Sequence, residues 1–124
     1  MPIGAVIVAG GVVIARAHNL TEHLCDVTAH AEIQAITAAS SYLGGKYLTS
    51  CTLYVTVEPC TMCAGALGWS QIGRIVYGAS DSKRGYSTIL SGGATPLHPK
   101  TLIHGGELEE ECREVMQDFF RSKR

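Results

Sequence analysis

The strongest constraint in this sequence is a strand-like run that stops at a proline and passes directly into a helix carrying two cysteines. Residues Thr52 to Val57 alternate Leu53, Val55 and Val57 with Tyr54 and Thr56, the period-two pattern of a strand with one buried face. Glu58-Pro59 stops the run, since proline has no N–H to donate to a sheet. Cys60 to Trp69 then reads as a short helix rich in small residues. Cys60 and Cys63 therefore fall on a strand-to-helix junction, where two thiols at this spacing can face one point. The start of a helix also favours thiolate over thiol.

The rest of the chain supplies a frame for this junction. Ile3 to Val8 is apolar and β-branched, Gly10-Gly11 is a turn signal, and Val12 to Ala17 repeats the strand pattern; together they predict a hairpin. His18 to Val27 reads as a loop. Thr28 is placed to cap a helix running to about Ser41, with Ala29, Ile33, Ile36 and Leu43 near helical spacing and Gly44-Gly45 as its end. Arg74 to Ala79 predicts another strand, Ser80 to Lys100 a long loop, and Thr101 to His104 a short last strand. Loops of that length in small domains are often functional. Glu107 to about Lys123 predicts a helix with the stripe Leu108, Cys112, Val115, Met116 and Phe119, acidic at its start and basic at its end. Strands alternating with helices predict an α/β sandwich around one mixed sheet. With 124 residues, the chain is expected to form one domain, residues 1–124, burying roughly two-thirds of its unfolded surface.

Charge and cysteine content narrow the function. The formal net charge of -1 is not that of a protein that coats nucleic acid nonspecifically, although a local basic patch remains compatible with it. The five cysteines, Cys25, Cys51, Cys60, Cys63 and Cys112, are odd in number, and two form the Cys-x-x-Cys. No charged segment precedes the apolar start, which is too short to span a bilayer. Metal or redox chemistry in a reducing compartment, by default the cytoplasm, is therefore expected over a disulfide framework.

Two motifs carry chemistry: His30-Ala31-Glu32 and Pro59-Cys60-Thr61-Met62-Cys63. His30, Cys60 and Cys63 give three ligands and leave one open position, the arrangement of a catalytic rather than a structural zinc site. Zinc can lower the pKa of a bound water from about 15.7 to roughly 7, and Glu32, two residues from His30, is placed to move protons to and from a reacting group there. Taken singly, the signals are bland: a Cys-x-x-Cys is commonly a structural knuckle or redox pair, a histidine at a helix start a capping residue, a glutamate on a helix a solvated charge. A structural site would want a fourth protein ligand. Cys25, Cys51, Cys112, His18, His23, His98 and His104 have no motif-like spacing and read as core thiols and surface or loop histidines.

The combination His-x-Glu and Pro-Cys-x-x-Cys is the general signature of zinc nucleobase deaminases. On it, the chain resembles the cytidine deaminase-like superfamily, and within it the bacterial tRNA-specific adenosine deaminases that convert wobble adenosine to inosine. The matching stretches include Pro2 to Val6, Asn19, Thr28 to Glu32, Thr52 to Ala66, Arg74 to Ala79 and Asp118 to Arg121. The resemblance implies a three-layer α/β/α sandwich with a central five-stranded mixed sheet, one Zn2+ per subunit, a homodimer, and a tRNA anticodon stem-loop as partner. It implies that Asn19 contacts the extruded nucleotide, that Ala31 offers its backbone N–H to the base, and that Asp81, Lys83, Phe120 and Arg121 lie against the RNA. Read alone, Asn19 is a turn residue and Asp81 and Lys83 are solvated charges.

One departure stands out. The family usually carries an amphipathic helix ahead of the first strand, whereas this sequence begins at Met1-Pro2, directly at that strand; either the sequence starts partway along the protein or the protein lacks that helix, and loss of the helix would uncover apolar sheet surface. Two other readings stay open: a deaminase of a free base or nucleoside such as guanine or cytosine, and a non-catalytic zinc- and RNA-binding scaffold.

Overall fold

The computed structural model describes residues 3–90 and 94–106. Five strands form one sheet in the order β2-β1-β3-β4-β5: β1 Gly4–Ala9, β2 Val12–His18, β3 Cys51–Val57, β4 Arg74–Ala79 and β5 Leu102–His104. β1 pairs antiparallel with both β2 and β3, whereas β3–β4 and β4–β5 are parallel. The sheet is therefore mixed, as expected. The hairpin expected at Gly10-Gly11 is present, and both glycines have positive φ. Its register shifts at Ile7/Val8.

Helix α1, Ala31–Leu43, crosses β1 and β2, and helix α2, Thr61–Ser70, connects β3 to β4. The helices touch each other, and their Ala35, Ala39, Ala64 and Leu67 share one buried cluster with Ala5, Ile7, Leu53, Val55 and Ile75 of the sheet. Both thus pack on the same face. Small side chains along α1 allow it to lie close to the strands, where each buried methylene contributes about 0.8 kcal/mol. The opposite face presents Val6, Tyr54, Thr56 and Val76 around a recess of about 390 Å³; among the described residues no helix covers it. The helix expected over 107–123 lies outside the described residues, as do Cys112, Phe120 and Arg121.

Two expectations about α1 are corrected. It starts at Ala31, with His30 as its N-cap residue, and Thr28 does not cap it. Instead, the N–H and hydroxyl of Thr28 both donate to Asp26 Oδ1, at 2.8 and 2.7 Å, in a turn that outcompetes the capping role. The buried face is also rotated: Ala31, Glu32, Ala35 and Ala39 are buried, while Ile33 and Ile36 are half-buried and Leu43 is exposed. The helix ends where expected, at Gly44 with φ 71°, whose N–H donates to Ser40 O at 2.9 Å. The long loop is more ordered than predicted, since Tyr86–Ile89 form a 3₁₀ turn. Among the described residues no helix is long and apolar enough to cross a membrane.

Candidate metal centre

The centre forms where two helix starts meet. His30 precedes α1 and Cys60 precedes α2, both in extended backbone conformation (ψ 158° and 174°) and neither making a side-chain capping hydrogen bond. Both side chains are therefore free to turn toward a common point, and Cys63, in the first turn of α2, reaches the same point. His30 Nδ1 lies 3.6 Å from Cys60 Sγ and 3.5 Å from Cys63 Sγ, and the three ligand atoms all lie within 4.8 Å of one another. Nitrogen and sulfur bound to one tetrahedral zinc at ordinary bond lengths would stand about 3.6 Å apart. A single imidazole N–H cannot point at two sulfurs at once, whereas a cation between the three atoms satisfies all of them. The donor set, one nitrogen and two sulfurs, is that of zinc, so the residues fit the metal. Among the described residues no fourth protein ligand joins the group, as a catalytic site requires.

The electrostatics agree. The Cys60 thiol is lowered to about 5, first by a hydrogen bond from the Cys63 thiol and then by backbone N–H groups and His30, against the cost of burial. Cys63 is pushed up, because it holds the proton shared with Cys60 and is buried beside Glu32. The pair thus keeps one thiolate ready for a cation and a second proton that a cation would displace. Glu32 is 4 % exposed, and burial first, with Cys60 second among the raising causes, pushes its carboxyl up. A carboxyl held nearer neutrality is what a general acid and base needs.

The remaining candidates fall as follows. Ala31 is buried and is the first residue of α1, a position whose N–H has no intrahelical acceptor. Asn19 sits in an open depression lined by residues 18–23; its Oδ1 accepts from the N–H and hydroxyl of Thr21 at 2.9 and 2.8 Å. The next residue, Leu20, donates its N–H to Ala29 O at 2.9 Å, tying this loop to the residue before His30. Asp81 turns its carboxylate onto its own loop, accepting from the N–H groups of Lys83 and Arg84 at 3.0 Å each. Lys83 is exposed. Of the spare thiols, Cys51 is buried as expected, but Cys25 is exposed rather than part of the core, at a left-handed turn position with φ 50°.

Glu58 was missed in the sequence, where it reads only as the end of a strand. It is 4 % exposed, and both its oxygens accept hydrogen bonds, Oε1 from Asp81 N–H at 3.1 Å and Oε2 from the N–H and hydroxyl of Ser87. No local signal in the sequence separates it from a glutamate that only ends a strand, because its partners lie 23 and 29 residues away.

The profile of the MafB19-like deaminase family matches residues 1–124. The chain is 46% identical over 126 residues to a tRNA-specific adenosine deaminase of Agrobacterium fabrum, covering 100% of this chain and 83% of the relative. It is similar, at TM-score 0.84 and 46% identity over 92% of this chain and 84% of the other, to a structure from a study of A-to-I editing by tRNA:A34 deaminases at the wobble position of transfer RNA. It is also similar to a guanine deaminase from Bacillus subtilis, at TM-score 0.63 and 44% identity over 64% of this chain and 50% of that one.

Proposed function

The chain belongs to the MafB19-like deaminase family and, within it, to the tRNA-specific adenosine deaminases, and from that membership we propose that it hydrolyses the wobble adenosine of a transfer RNA anticodon stem-loop to inosine. The observation that carries this reading is the convergence of His30, Cys60 and Cys63 within 4.8 Å, beside a buried glutamate, in a chain that matches a tRNA-specific relative along its whole length.

His30, Cys60 and Cys63 would hold one zinc ion, which supplies Lewis-acid activation of the attacking water when bound. Glu32 is the proton carrier. Its carboxylate takes one proton from the water as the C6–O bond forms and delivers it to the ring nitrogen, then takes the remaining proton from the new C6 hydroxyl and passes it to the amine as the C6–N bond breaks, leaving a C6 carbonyl and ammonia. Burial of Glu32 supports this role, because a raised carboxyl pKa eases both uptake and release near neutral pH. The N–H of Ala31 and the carboxamide of Asn19 orient the extruded base. Asp81 shapes the loop that presents Lys83 to the RNA backbone, and Phe120 and Arg121 add contacts from the C-terminal segment. The whole of residues 1–124 acts as a single deaminase domain.

The active form is a homodimer, supported by the outer face of α2. Met62 and Trp69 stand two turns apart on it, and Trp69 is 86% exposed. An exposed apolar side chain of that size, in a row with Gly65 and Ala66, suits a packed interface.

The test is to incubate the protein with an anticodon stem-loop carrying adenosine at the wobble position and, separately, with free guanine and cytosine. Inosine in the RNA is expected. Ammonia from a free base, with the RNA unchanged, would overturn the reading in favour of the activity that the similarity to a guanine deaminase suggests.

A further inference from the structure

The geometry points to Glu58 as a positioning residue: its buried carboxylate clamps the 81–87 segment to the metal-binding junction and so holds Lys83 and Arg84 where an RNA phosphate backbone meets the site. The inference rests on RNA being the substrate, as proposed above.

Glu58 is the last residue of the strand side of the junction before Pro59 and Cys60, and its own N–H is fixed to Ala79 O at 2.8 Å. Its carboxylate reaches across to both ends of a loop. Oε1 receives the N–H of Asp81 at 3.1 Å, and Oε2 the N–H of Ser87 at 3.0 Å together with the Ser87 hydroxyl. Donors converge on both oxygens. Only a carboxylate offers acceptors on both sides, since a carboxamide of the same shape would turn an NH2 toward one of the N–H groups. These donors are all neutral, and burying an anion among neutral donors is costly unless every lone pair is used.

Between the clamped ends the loop is internally closed. Asp81 Oδ1 accepts from Lys83 and Arg84 N–H at 3.0 Å each, and Asp81 O accepts from Gly85 N–H at 3.0 Å. Gly85 forms a bridge with the ligand Cys60, and Tyr86 N–H donates to Pro59 O at 2.9 Å. The contact is too close for any other residue: a Cβ on Gly85 would lie 2.4 Å from the Glu58 carboxyl carbon and 2.6 Å from Asp81 O. Lys83 and Arg84, both exposed, are thereby carried at the tip of a turn locked onto Cys60. In a chain of net charge -1, attraction to RNA cannot come from overall charge and must come from cations held in place.

The experiment compares Glu58→Gln in two backgrounds, the native chain and a Lys83→Ala/Arg84→Ala chain, using the zinc-loaded protein and the wobble-adenosine stem-loop. In the native background KM is expected to rise about tenfold, the order expected from unpairing a buried charged hydrogen bond, with kcat within about twofold and zinc content unchanged. In the cation-free background Glu58→Gln is expected to move KM less than about twofold. Without substrate, trypsin is expected to cut after Lys83 and Arg84 about tenfold faster in Glu58→Gln, as the loop opens more often. Unchanged tryptic rates, an equal rise in KM in both backgrounds, or a fall in kcat with loss of zinc at constant KM would each overturn the clamp. Should Glu58→Gln fail to fold, Ser87→Ala, which removes one donor, is expected to give the same signs at about threefold, and an unchanged KM and tryptic rate there would overturn it equally. Native protein inert toward the stem-loop would overturn the RNA reading instead, and the tryptic arm, which needs no substrate, then decides the clamp.

Discussion

His30 and Cys60 occupy the same structural position in two different helices. Each is the N-cap residue of its helix, each leaves the cap unmade, and His30 Nδ1 lies 3.6 Å from Cys60 Sγ. A helix start that gives up its capping hydrogen bond forgoes about 1 kcal/mol, and here two do so at one place. A zinc ion bound by His30, Cys60 and Cys63, as proposed, would offset that loss and hold the two helix starts together.

Replacing one of the pair should therefore release the metal rather than merely weaken a helix. His30→Ala is expected to lower zinc affinity by more than about 100-fold, beyond the loss that follows from disturbing only the groups supporting a ligand. Competition with a chromophoric chelator measures it. Zinc retained at native affinity would mean that His30 is not a ligand.

The turn that delivers His30 should be sensitive to acid. The Thr28 hydroxyl, and then its N–H, hold the Asp26 carboxyl below its ordinary value. For a lowered carboxylate, the contribution to stability is complete above the unfolded value and is lost as pH falls through the folded one. Thr28→Ala removes the larger cause and should move the Asp26 titration up toward the ordinary carboxylate value, as read from its side-chain carboxyl resonance by NMR. An Asp26 titration that does not move would contradict the turn.

The outer face of α2 should govern assembly. Trp69→Glu places a charge on a residue 86% exposed in the protomer, so the monomer should fold with stability changed by no more than about 0.5 kcal/mol while a dimer is lost. Sedimentation velocity distinguishes the species. A dimer unaffected by the substitution would place the interface elsewhere.

How much of this was legible in the sequence depends on the distance over which each feature is determined. Cys60 and Cys63 are local, and their positions relative to Val57 and Pro59 could be read directly. The helix containing Glu32 was also legible, but its first residue was not, because Asp26 captures Thr28 in a turn, and such local side-chain bonds compete with capping. The buried face of α1 was misjudged for a related reason: Ile33 and Ile36 outrank alanine in hydrophobicity, yet close approach to β1 and β2 selects Ala31, Ala35 and Ala39. Glu58 was illegible because its partners, Asp81 and Ser87, stand 23 and 29 residues away, and nothing local distinguishes a glutamate that ends a strand from one that anchors a loop.

The most direct measurement of the central claim is a paired assay on Glu32→Gln: zinc content by metal analysis, and turnover of the wobble-adenosine stem-loop. Glu32 holds a buried carboxyl beside His30, Cys60 and Cys63 without belonging to that group of candidate ligands. Zinc is expected at the native level with turnover lowered by about 10²- to 10⁴-fold, the contribution of a positioned proton carrier. Turnover within a few-fold of native, with zinc in place, would contradict it.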